Sequence, residues 1–548
     1  MRVADLMVRC LEAHGLTRVY CVPGESYLAL LDALHDSTIA TIICRHESGA
    51  GFMAVAEAKM TGKPAVFMVS RGPGATNGSI AVHVAEQDAT PLVVLIGQVS
   101  RLERGRGAFQ EVDYAQFFGG MAKAVFEIDD GDKMGETLSR ALHLAAAGTP
   151  GPVVISLPED MLLDECDGAF PAPYPIARAR SSSRDRADVQ ALIDAADRPL
   201  LVAGGDLRGT EGAAALKAFA EAQRLPVAVT WKNQDVFDNT SPLFAGHLGV
   251  GAPQKFRETL AKADLVVAAG TRLGDIATLN YTFPAAPVPA QRLVHVYKDA
   301  GPIGKVIRPH LGIIADAADF LTGLAHSPRV VSSTREAWIS SLNSFMMDFM
   351  TFRSPQPQDG VDFGAVVSAI AELATKTSII TTDAGNISTW VHRHWRMTPH
   401  NHLLGTSAGA MGFGVPAAVA AGLVAPGRMA IAFVGDGGIL MTGQELATAM
   451  QYGAKIKIVL SDNGTYGTIR THQERQFPQR VAGTDLVNPD FSAWGRAFGA
   501  GVVTIELGDD IRAKVQEALD QDGSTLIHVK SSKEAISAFT TLSRLRGS

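Results

Sequence analysis

The sequence has few cysteines and few charged residues, and each shortage excludes a class of protein. The four cysteines among 548 residues are widely spaced and form no CxxC pair, so neither a disulfide framework nor a zinc cluster is indicated. Charged residues make up 19% of the chain and hydrophobic residues 46%, a balance that excludes a mainly disordered protein. We expect a globular chain whose cysteines are buried free thiols.

Long apolar runs and basic clusters are also missing. No stretch of about 18 apolar residues could span a bilayer, and the first residues alternate charged and apolar side chains, unlike a signal peptide. With 49 Lys and Arg against 56 Asp and Glu, the formal net charge is −7, and no basic block would follow a phosphate backbone. We therefore expect a cytoplasmic protein with neither a nucleic-acid nor a membrane partner.

Glycine, in contrast, is abundant, and its 54 copies favour many tight turns between strands and helices. Two stretches have the composition of linkers: the Pro/Arg/Ser run after Ala169 and the segment from His326 to Gly360, which ends in Pro-rich polar residues. These linkers predict three domains, which span residues 1–168, 188–325 and 355–535.

The first and last domains follow the same plan. GKPAVFMVSRGPGATN followed by PLVVLIGQ has a counterpart in GRMAIAFVGDGGILMTGQEL followed by IKIVLSDNGTYG. In each case an apolar strand runs into a Gly loop, a helix and a second strand that ends in a polar residue. The middle domain repeats short apolar runs in a Rossmann-like style. The predicted fold is α/β, with three doubly wound parallel-sheet domains of which the outer two are alike.

Two loops of the last domain carry the sharpest chemical signal. Gly435-Asp436-Gly437-Gly438 follows the apolar run AIAFV, and Asn463 follows the run IKIVL. Adjacent parallel strands end at one edge of a sheet, so Asp436 and Asn463 are expected to lie together. One carboxylate, one amide oxygen and a nearby backbone carbonyl suit Mg²⁺. The glycines, with a helix predicted to begin near Leu440, would admit a phosphate group.

Gly-Asp-Gly, then 25 residues, then Asn resembles the binding motif of the thiamine-diphosphate-dependent enzymes. Four further motifs extend the resemblance over nearly the whole chain and are most similar to the acetolactate synthase branch: RHESGA (45–50), RGPGATN (71–77), GAFQE (107–111) and GAMGFGVPAA (409–418). The resemblance implies thiamine diphosphate and Mg²⁺ as cofactors, with the diphosphate on the last domain and the aminopyrimidine on the first.

The resemblance also implies roles for single residues. Glu47 matches the carboxyl group that hydrogen-bonds N1′ of the pyrimidine and so activates the cofactor. Gly409 matches the acceptor for the 4′-amino group, Met411 the apolar wedge, and Thr465 a metal ligand through its backbone carbonyl. The further cofactor contacts that the family motifs imply are Pro73, Asn77, Gly385, Asn386, Ile387, Gly435, Gly437, Gly438, Tyr466, Gly467 and Thr468.

The motifs say less about the substrate than about the cofactor. Phe109 and Gln110 match positions that face substrate and cofactor, while Glu25 is either a second active-site acid or a solvated capping residue. His472 stands near the position of the Trp that selects the second ketoacid in biosynthetic acetohydroxyacid synthases. Ile276 replaces one of two arginines in their middle domain, so the acceptor stays open.

The middle domain binds FAD in some relatives, ADP in others and nothing in the rest. Ala203-Gly204-Gly205-Asp206 and Arg272 could contact a nucleotide, but the same residues suit a plain Rossmann-like turn. FAD or ADP is therefore an open expectation for this domain.

Three hypotheses follow. The first is decarboxylation of a small-molecule 2-oxoacid with acyl transfer, as in an acetolactate synthase. The second is a thiamine-diphosphate-dependent lyase or decarboxylase of a 2-hydroxyacyl-CoA, aryl or sulfonated 2-oxo substrate. The third, a non-catalytic regulatory homologue, is disfavoured by intact Glu47, Asp436 and Asn463. Because the family builds its site across two subunits, the resemblance also implies a homodimer or homotetramer.

Overall fold

Three parallel sheets of six strands each make up the protein. The structure is a computed structural model that describes residues 1–326 and 329–547. Most strands are buried apolar runs, as parallel strands covered by helices on both faces require. The strands are β1 (Arg18–Cys21), β2 (Ala40–Ile43), β3 (Ala65–Val69), β4 (Leu92–Gln98), β5 (Ala124–Glu127), β6 (Pro152–Pro158), β7 (Pro199–Ala203), β8 (Val227–Thr230), β9 (Phe244–Leu248), β10 (Leu265–Ala269), β11 (Arg292–Tyr297), β12 (Leu311–Ile314), β13 (Ile379–Thr382), β14 (His402–Leu404), β15 (Ala430–Gly435), β16 (Ile456–Asp462), β17 (Gly501–Ile505) and β18 (Thr525–Lys530).

Helices connect these strands and cover the sheets. Several start at a capping side chain, as at Ser182, whose hydroxyl accepts from the Asp185 N–H over 3.0 Å. The helices are α1 (Val3–Ala13), α2 (Leu28–His35), α3 (Glu47–Thr61), α4 (Gly72–Gln87), α5 (Tyr114–Phe118), α6 (Met134–Ala146), α7 (Ser183–Ala195), α8 (Thr210–Gln223), α9 (Gln254–Leu260), α10 (Ala317–Thr322), α11 (Ser333–Met350), α12 (Phe363–Leu373), α13 (Ile387–His394), α14 (Gly414–Val424), α15 (Asp436–Thr442), α16 (Leu446–Tyr452), α17 (Gly467–Gln476), α18 (Phe491–Ala497), α19 (Ile511–Asp520) and α20 (Leu542–Arg546).

The outer two sheets have the same strand order. The first runs β2-β1-β3-β4-β6-β5 and the third runs β14-β13-β15-β16-β18-β17, while the middle sheet runs β12-β11-β10-β7-β8-β9. The predicted fold of three doubly wound domains, the outer two alike, is confirmed. The reversal of strand order between β7 and β10 marks the place in the middle sheet where α/β proteins bind ligands.

The second predicted linker is largely helical. Helix α11 lies inside it and packs on β9, and its buried residues Trp338, Leu342 and Met346 belong to the core of the middle domain. The linker interpretation is wrong for Ser333–Met350. The Pro-rich polar stretch after Met350 dominates the composition of the segment, so the amphipathic helix before it was not recognised. Residues 327 and 328 of that segment lie outside the described residues.

The first and third domains share one core through their helices. Helix α14 packs on α3, and the Phe413 ring just before α14 meets the Phe52 ring edge to face with centroids 5.6 Å apart. Within the described part of the chain, no helix combines the length and the apolar character that crossing a membrane requires.

Helices α3 and α4 approach closely because glycine permits it. A Cβ built on Gly51 of α3 would lie 2.3 Å from Cβ of Ala81 on α4. This spacing matters for the site, since Glu47 begins α3 and Asn77 lies on α4.

We predict that Gly51→Ala lowers the free energy of unfolding by about 1–3 kcal/mol, because the added methyl group overlaps a backbone-fixed neighbour. A urea titration followed by circular dichroism measures this loss. Gly120→Ala is the matched control, since a Cβ there meets no atom within 4 Å. An unchanged midpoint for Gly51→Ala would contradict the packing described.

Candidate active site

The loops after β15 and β16 meet at the carboxyl edge of the third sheet. Asp436 is the first residue of α15, and its Oδ1 accepts from the Gly437 N–H over 2.9 Å. Its Oδ2 accepts from the Gly464 N–H of the neighbouring loop over 2.8 Å. Asn463 precedes Gly464, and its Oδ1 accepts from the Thr465 N–H over 3.2 Å. Asp436, Asn463 and Thr465 therefore come together in one pair of loops.

Asn488 links two carboxylates at this edge. Its amide nitrogen donates to Asp436 Oδ2 over 2.8 Å and to Asp462 Oδ1 over 2.7 Å. Asp462 is also bound by His528 Nε2 and Lys530 Nζ, each at 2.9 Å. Sequence reasoning missed Asn488, because it lies between α17 and α18 in a stretch that carries no motif.

The two carboxylates have different electrostatic surroundings. Burial raises the pKa of Asp436, while hydrogen bonds from Asn488, Gly437 and Gly464 act in the opposite direction. Burial acts likewise on Asp462, but hydrogen bonds from His528, Lys530 and Asn488 hold its pKa below the usual range.

A positive charge is what the Asp436 site lacks. Asp436 is only 3% exposed, and among the described residues no Lys, Arg or His forms an ion pair with it. A divalent cation would supply that charge and would find oxygen ligands alone. The donor set therefore fits Mg²⁺.

The turn at Gly437 and Gly438, here called the glycine cradle, is packed so closely that a larger side chain would collide with its neighbours. A Cβ built on Gly437 would lie 2.3 Å from the Tyr466 ring, and one built on Gly438 would lie 2.4 Å from Asp383 Oδ2. Helix α15 begins at Asp436 and not near Leu440, so these glycines occupy its first turn. A narrow backbone cradle beside a cation site fits a diphosphate group.

The predicted contacts on α13 and α17 form the adjacent wall. Gly385 has a left-handed φ of +96°, and the Asn386 N–H donates to Thr468 Oγ1 over 2.8 Å. The Asn386 amide donates to Thr471 Oγ1 over 3.0 Å and to the Ile536 carbonyl over 3.1 Å. The starts of both helices are thus joined, and Ile387, Tyr466 and Gly467 lie in these turns.

Gly409 and Met411 lie in the loop between β14 and α14. Gly409 has a φ of +68°, and the Gly412 N–H next to Met411 donates to Asp383 Oδ1 over 2.8 Å. Burial raises the pKa of Asp383 to about 6. The carboxylate that lines the glycine cradle therefore also holds the loop that carries Met411.

Glu47 lies in the first domain, at the first residue of α3. The Asn77 amide of α4 donates to Glu47 Oε2 over 3.0 Å, and a Cβ built on Gly74 would lie 3.6 Å from Glu47 Oε1. Pro73 lies in the first turn of α4. The predicted residues Glu47, Pro73 and Asn77 therefore form one group, with Glu47 oriented by an amide donor.

Gln110 and Glu25 lie on either side of Arg71, at the start of α4. The Gln110 carbonyl accepts from the Gly72 N–H over 3.0 Å, and Gln110 has a φ of +67°. Arg71 Nη1 donates to Glu25 Oε1 over 3.1 Å, and Arg71 also contacts Glu159. Glu25 is thus ion-paired with Arg71, a partner that the sequence analysis did not predict.

The group around Glu47 and the loops around Asp436 make no direct polar contact within the described chain. Among the residues that the structure describes, no hydrogen bond or ion pair joins Glu47 or Asn77 to Asp436. The third domain instead holds the start of α3 through Glu445, whose Oε1 accepts from the N–H groups of Arg45 and His46 at 3.0 Å each. The chain presents two half-sites.

Three family models match successive parts of the chain. The model of the thiamine pyrophosphate enzyme N-terminal TPP binding domain matches residues 1–117. The central domain of the same enzymes matches residues 187–324, and their C-terminal TPP binding domain matches residues 383–529.

Similar proteins extend over nearly the whole length. The acetolactate synthase isozyme 1 large subunit of Escherichia coli is 33% identical over 532 residues, which cover 96% of this chain and 93% of the relative. The acetolactate synthase large subunit of Parasynechococcus marenigrum is 31% identical over 547 residues, 96% of this chain and 87% of the relative. That of Lactococcus lactis is 30% identical over 541 residues, 97% and 92%.

We predict that Asn488→Ala weakens Mg²⁺ binding about 10- to 100-fold, since it removes the amide that orients Asp436. Thiamine diphosphate binding to the metal-free protein, titrated with Mg²⁺ and followed by tryptophan fluorescence, measures the effect. Asp490→Asn, at the exposed start of α18, is the control. Equal Mg²⁺ dependence in both variants would exclude Asn488 from the site.

Proposed function

The chain belongs to the thiamine pyrophosphate enzymes, among relatives of the acetolactate synthase large subunits, and from this membership we propose that it decarboxylates a 2-oxoacid and transfers the acyl group to an acceptor. The enzyme is thiamine-diphosphate-dependent and acetolactate synthase-like. Its substrates, its metal ion and the roles of its residues are proposed from the site geometry.

The observation that carries the proposal is the pair of half-sites. In one, Glu47 is oriented by the Asn77 amide at 3.0 Å. In the other, the buried Asp436 carboxylate lies beside the glycine cradle. Asp436, Asn463 and the Thr465 carbonyl would hold Mg²⁺, and the cradle would hold the diphosphate.

Thiamine diphosphate, when bound, supplies the nucleophilic carbon to which the 2-oxoacid adds and from which the acyl group is transferred after CO₂ leaves. The protein contributes Glu47, which holds a proton at N1′ of the aminopyrimidine. Asn77 donates to Glu47 Oε2 and would help to orient the carboxyl group for the aminopyrimidine. The Gly409 carbonyl would accept from the 4′-amino group, and the Met411 side chain would pack against the cofactor.

The two middle-domain positions at which the biosynthetic enzymes carry arginines leave the acceptor open. Arg272 donates to the carbonyls of Glu86 over 3.2 Å and of Gln87, so it holds the end of α4. Ile276, in place of the second arginine, lies in a short 3₁₀ helix (Ile276–Thr278). Neither side chain is therefore assigned to an acceptor carboxylate, and other residues would select the acceptor.

The middle domain has space for the adenine nucleotide portion of FAD or ADP. A cavity of about 1070 Å³ opens where the strand order reverses between β7 and β10. Gly205, Arg208 and Lys298 are among its lining residues. Arg208 is paired with Asp235 and Lys298 with Asp206, so the proposal of a nucleotide rests on the size of the cavity and its place in the sheet.

We propose a homodimer or homotetramer in which Glu47 of one copy serves the metal loops of another. Apolar side chains in the site loops support this assembly, since Phe109 is 75% exposed and Leu440, Met441 and Ile469 are also exposed. The four cysteines are free, which favours a reducing compartment such as the cytoplasm.

We predict that Glu47→Gln lowers the rate of CO₂ release from a 2-oxoacid about 10²- to 10⁴-fold, since an amide cannot hold the proton at N1′. Thiamine diphosphate binding should persist. Proton exchange at C2 of the bound cofactor, followed by NMR, locates the defect before substrate addition.

Glu57→Gln is the control. It alters a carboxylate of the same helix that binds Arg18 and Tyr20 and lies away from the site. Undiminished C2 exchange in Glu47→Gln would remove Glu47 from the activation step.

A further inference from the structure

The loop Gly405–Gly412 carries Gly409 and Met411. Side chains of all three domains contact this loop or the end of the strand β14 that leads into it. At its end, Asp383 of the third domain accepts from the Gly412 N–H over 2.8 Å. Just before its start, Leu403 N–H donates to Asp235 of the middle domain over 3.0 Å. The loop is thus braced at both ends.

The first domain contributes a buried ion pair. Lys59 Nζ and Asp88 Oδ2 are 2.6 Å apart, and their side chains are 9% and 2% exposed. Lys59 Nζ also donates to the Gly405 carbonyl over 2.5 Å, and Asp88 Oδ1 accepts from the Ser407 N–H over 2.7 Å. Each member of the pair therefore binds the other member and the backbone of the loop.

The middle domain closes the opposite side. Lys232 Nζ donates to Thr382 Oγ1 over 2.7 Å, and a Cβ built on Gly405 would lie 2.7 Å from Lys232 Cδ and 2.8 Å from Thr382 Oγ1. Gly405 is therefore confined between Lys59 on one side and Lys232 with Thr382 on the other.

The Lys59–Asp88 pair anchors the first half of the loop through one ion pair and two hydrogen bonds to the loop backbone. Removing either charge leaves its partner buried and unpaired and so weakens the hold of the pair on the loop backbone. A small displacement of a loop that positions reacting groups lowers kcat more than it weakens the binding of the cofactor.

We propose that Lys59 and Asp88 are positioning residues that fix the place of the loop Gly405–Gly412 at the cofactor. The inference rests on the proposed function for the meaning of Gly409 and Met411, while the anchoring itself is a property of the protein without cofactor.

The test compares Lys59→Met and Asp88→Asn with Arg18→Met in the full-length protein. Arg18→Met is the control, because it breaks another ion pair of α3, that between Arg18 and Glu57 at 2.9 Å, without touching the loop. Hydrogen–deuterium exchange of the cofactor-free protein is read for peptides that cover residues 405–412. The cofactor dissociation constant and kcat are then measured at saturating Mg²⁺.

We expect exchange in 405–412 to rise about tenfold in Lys59→Met and Asp88→Asn and not in Arg18→Met. We expect kcat to fall about 100-fold while the dissociation constant changes by less than about threefold. Asp88→Asn nearly preserves the side-chain volume and leaves Lys59 buried without its counter-charge, so it tests the anchor should Lys59→Met fail to fold.

Exchange in 405–412 that matches the control in both variants would overturn the proposal, as would a loss confined to cofactor affinity. A wild-type protein that releases no CO₂ from any 2-oxoacid would instead contradict the proposed function, and the exchange data would still decide whether the pair anchors the loop.

Discussion

The burial of the Asp436 carboxylate among neutral donors is the constraint on which the candidate site depends. Its three partners are the N–H groups of Gly437 and Gly464 and the amide of Asn488. A carboxylate 3% exposed and without a cationic partner is costly unless a cation binds beside it. The glycine cradle adjoins the same carboxylate, so the proposed metal-bound diphosphate would satisfy both the charge and the shape of this edge of the third sheet.

Each of the three domains contributes different residues to the candidate site. The outer domains share one strand order, yet they contribute different parts, since the third provides the cation loops and the first provides Glu47 and Asn77. The middle domain braces the chain at Leu403. Among the described residues no hydrogen bond joins Glu47 to Asp436, and the proposed assembly, in which two copies share a site, would bring these groups together and cover the exposed apolar side chains near the site.

Much of this arrangement could be predicted from sequence, and the failures have physical causes. Buried parallel strands are continuous apolar runs, so the three sheets and the meeting of the loops at Asp436 and Asn463 followed from pattern alone. Helix α11 was taken for a linker, because its polar face and the proline-rich stretch after it dominate the composition. Asn488 carries no motif, and the contacts of Lys59 with Asp88 and Gly405 join positions up to 346 residues apart. Such pairs appear only when the domains are packed.

The most direct test of the account is a proton NMR product profile from a panel of 2-oxoacids, pyruvate included, with and without thiamine diphosphate and Mg²⁺. The account predicts products of decarboxylation with acyl transfer that require both cofactors, such as acetolactate from pyruvate. A panel that yields no product from any 2-oxoacid, with the cofactor shown to be bound, would contradict it.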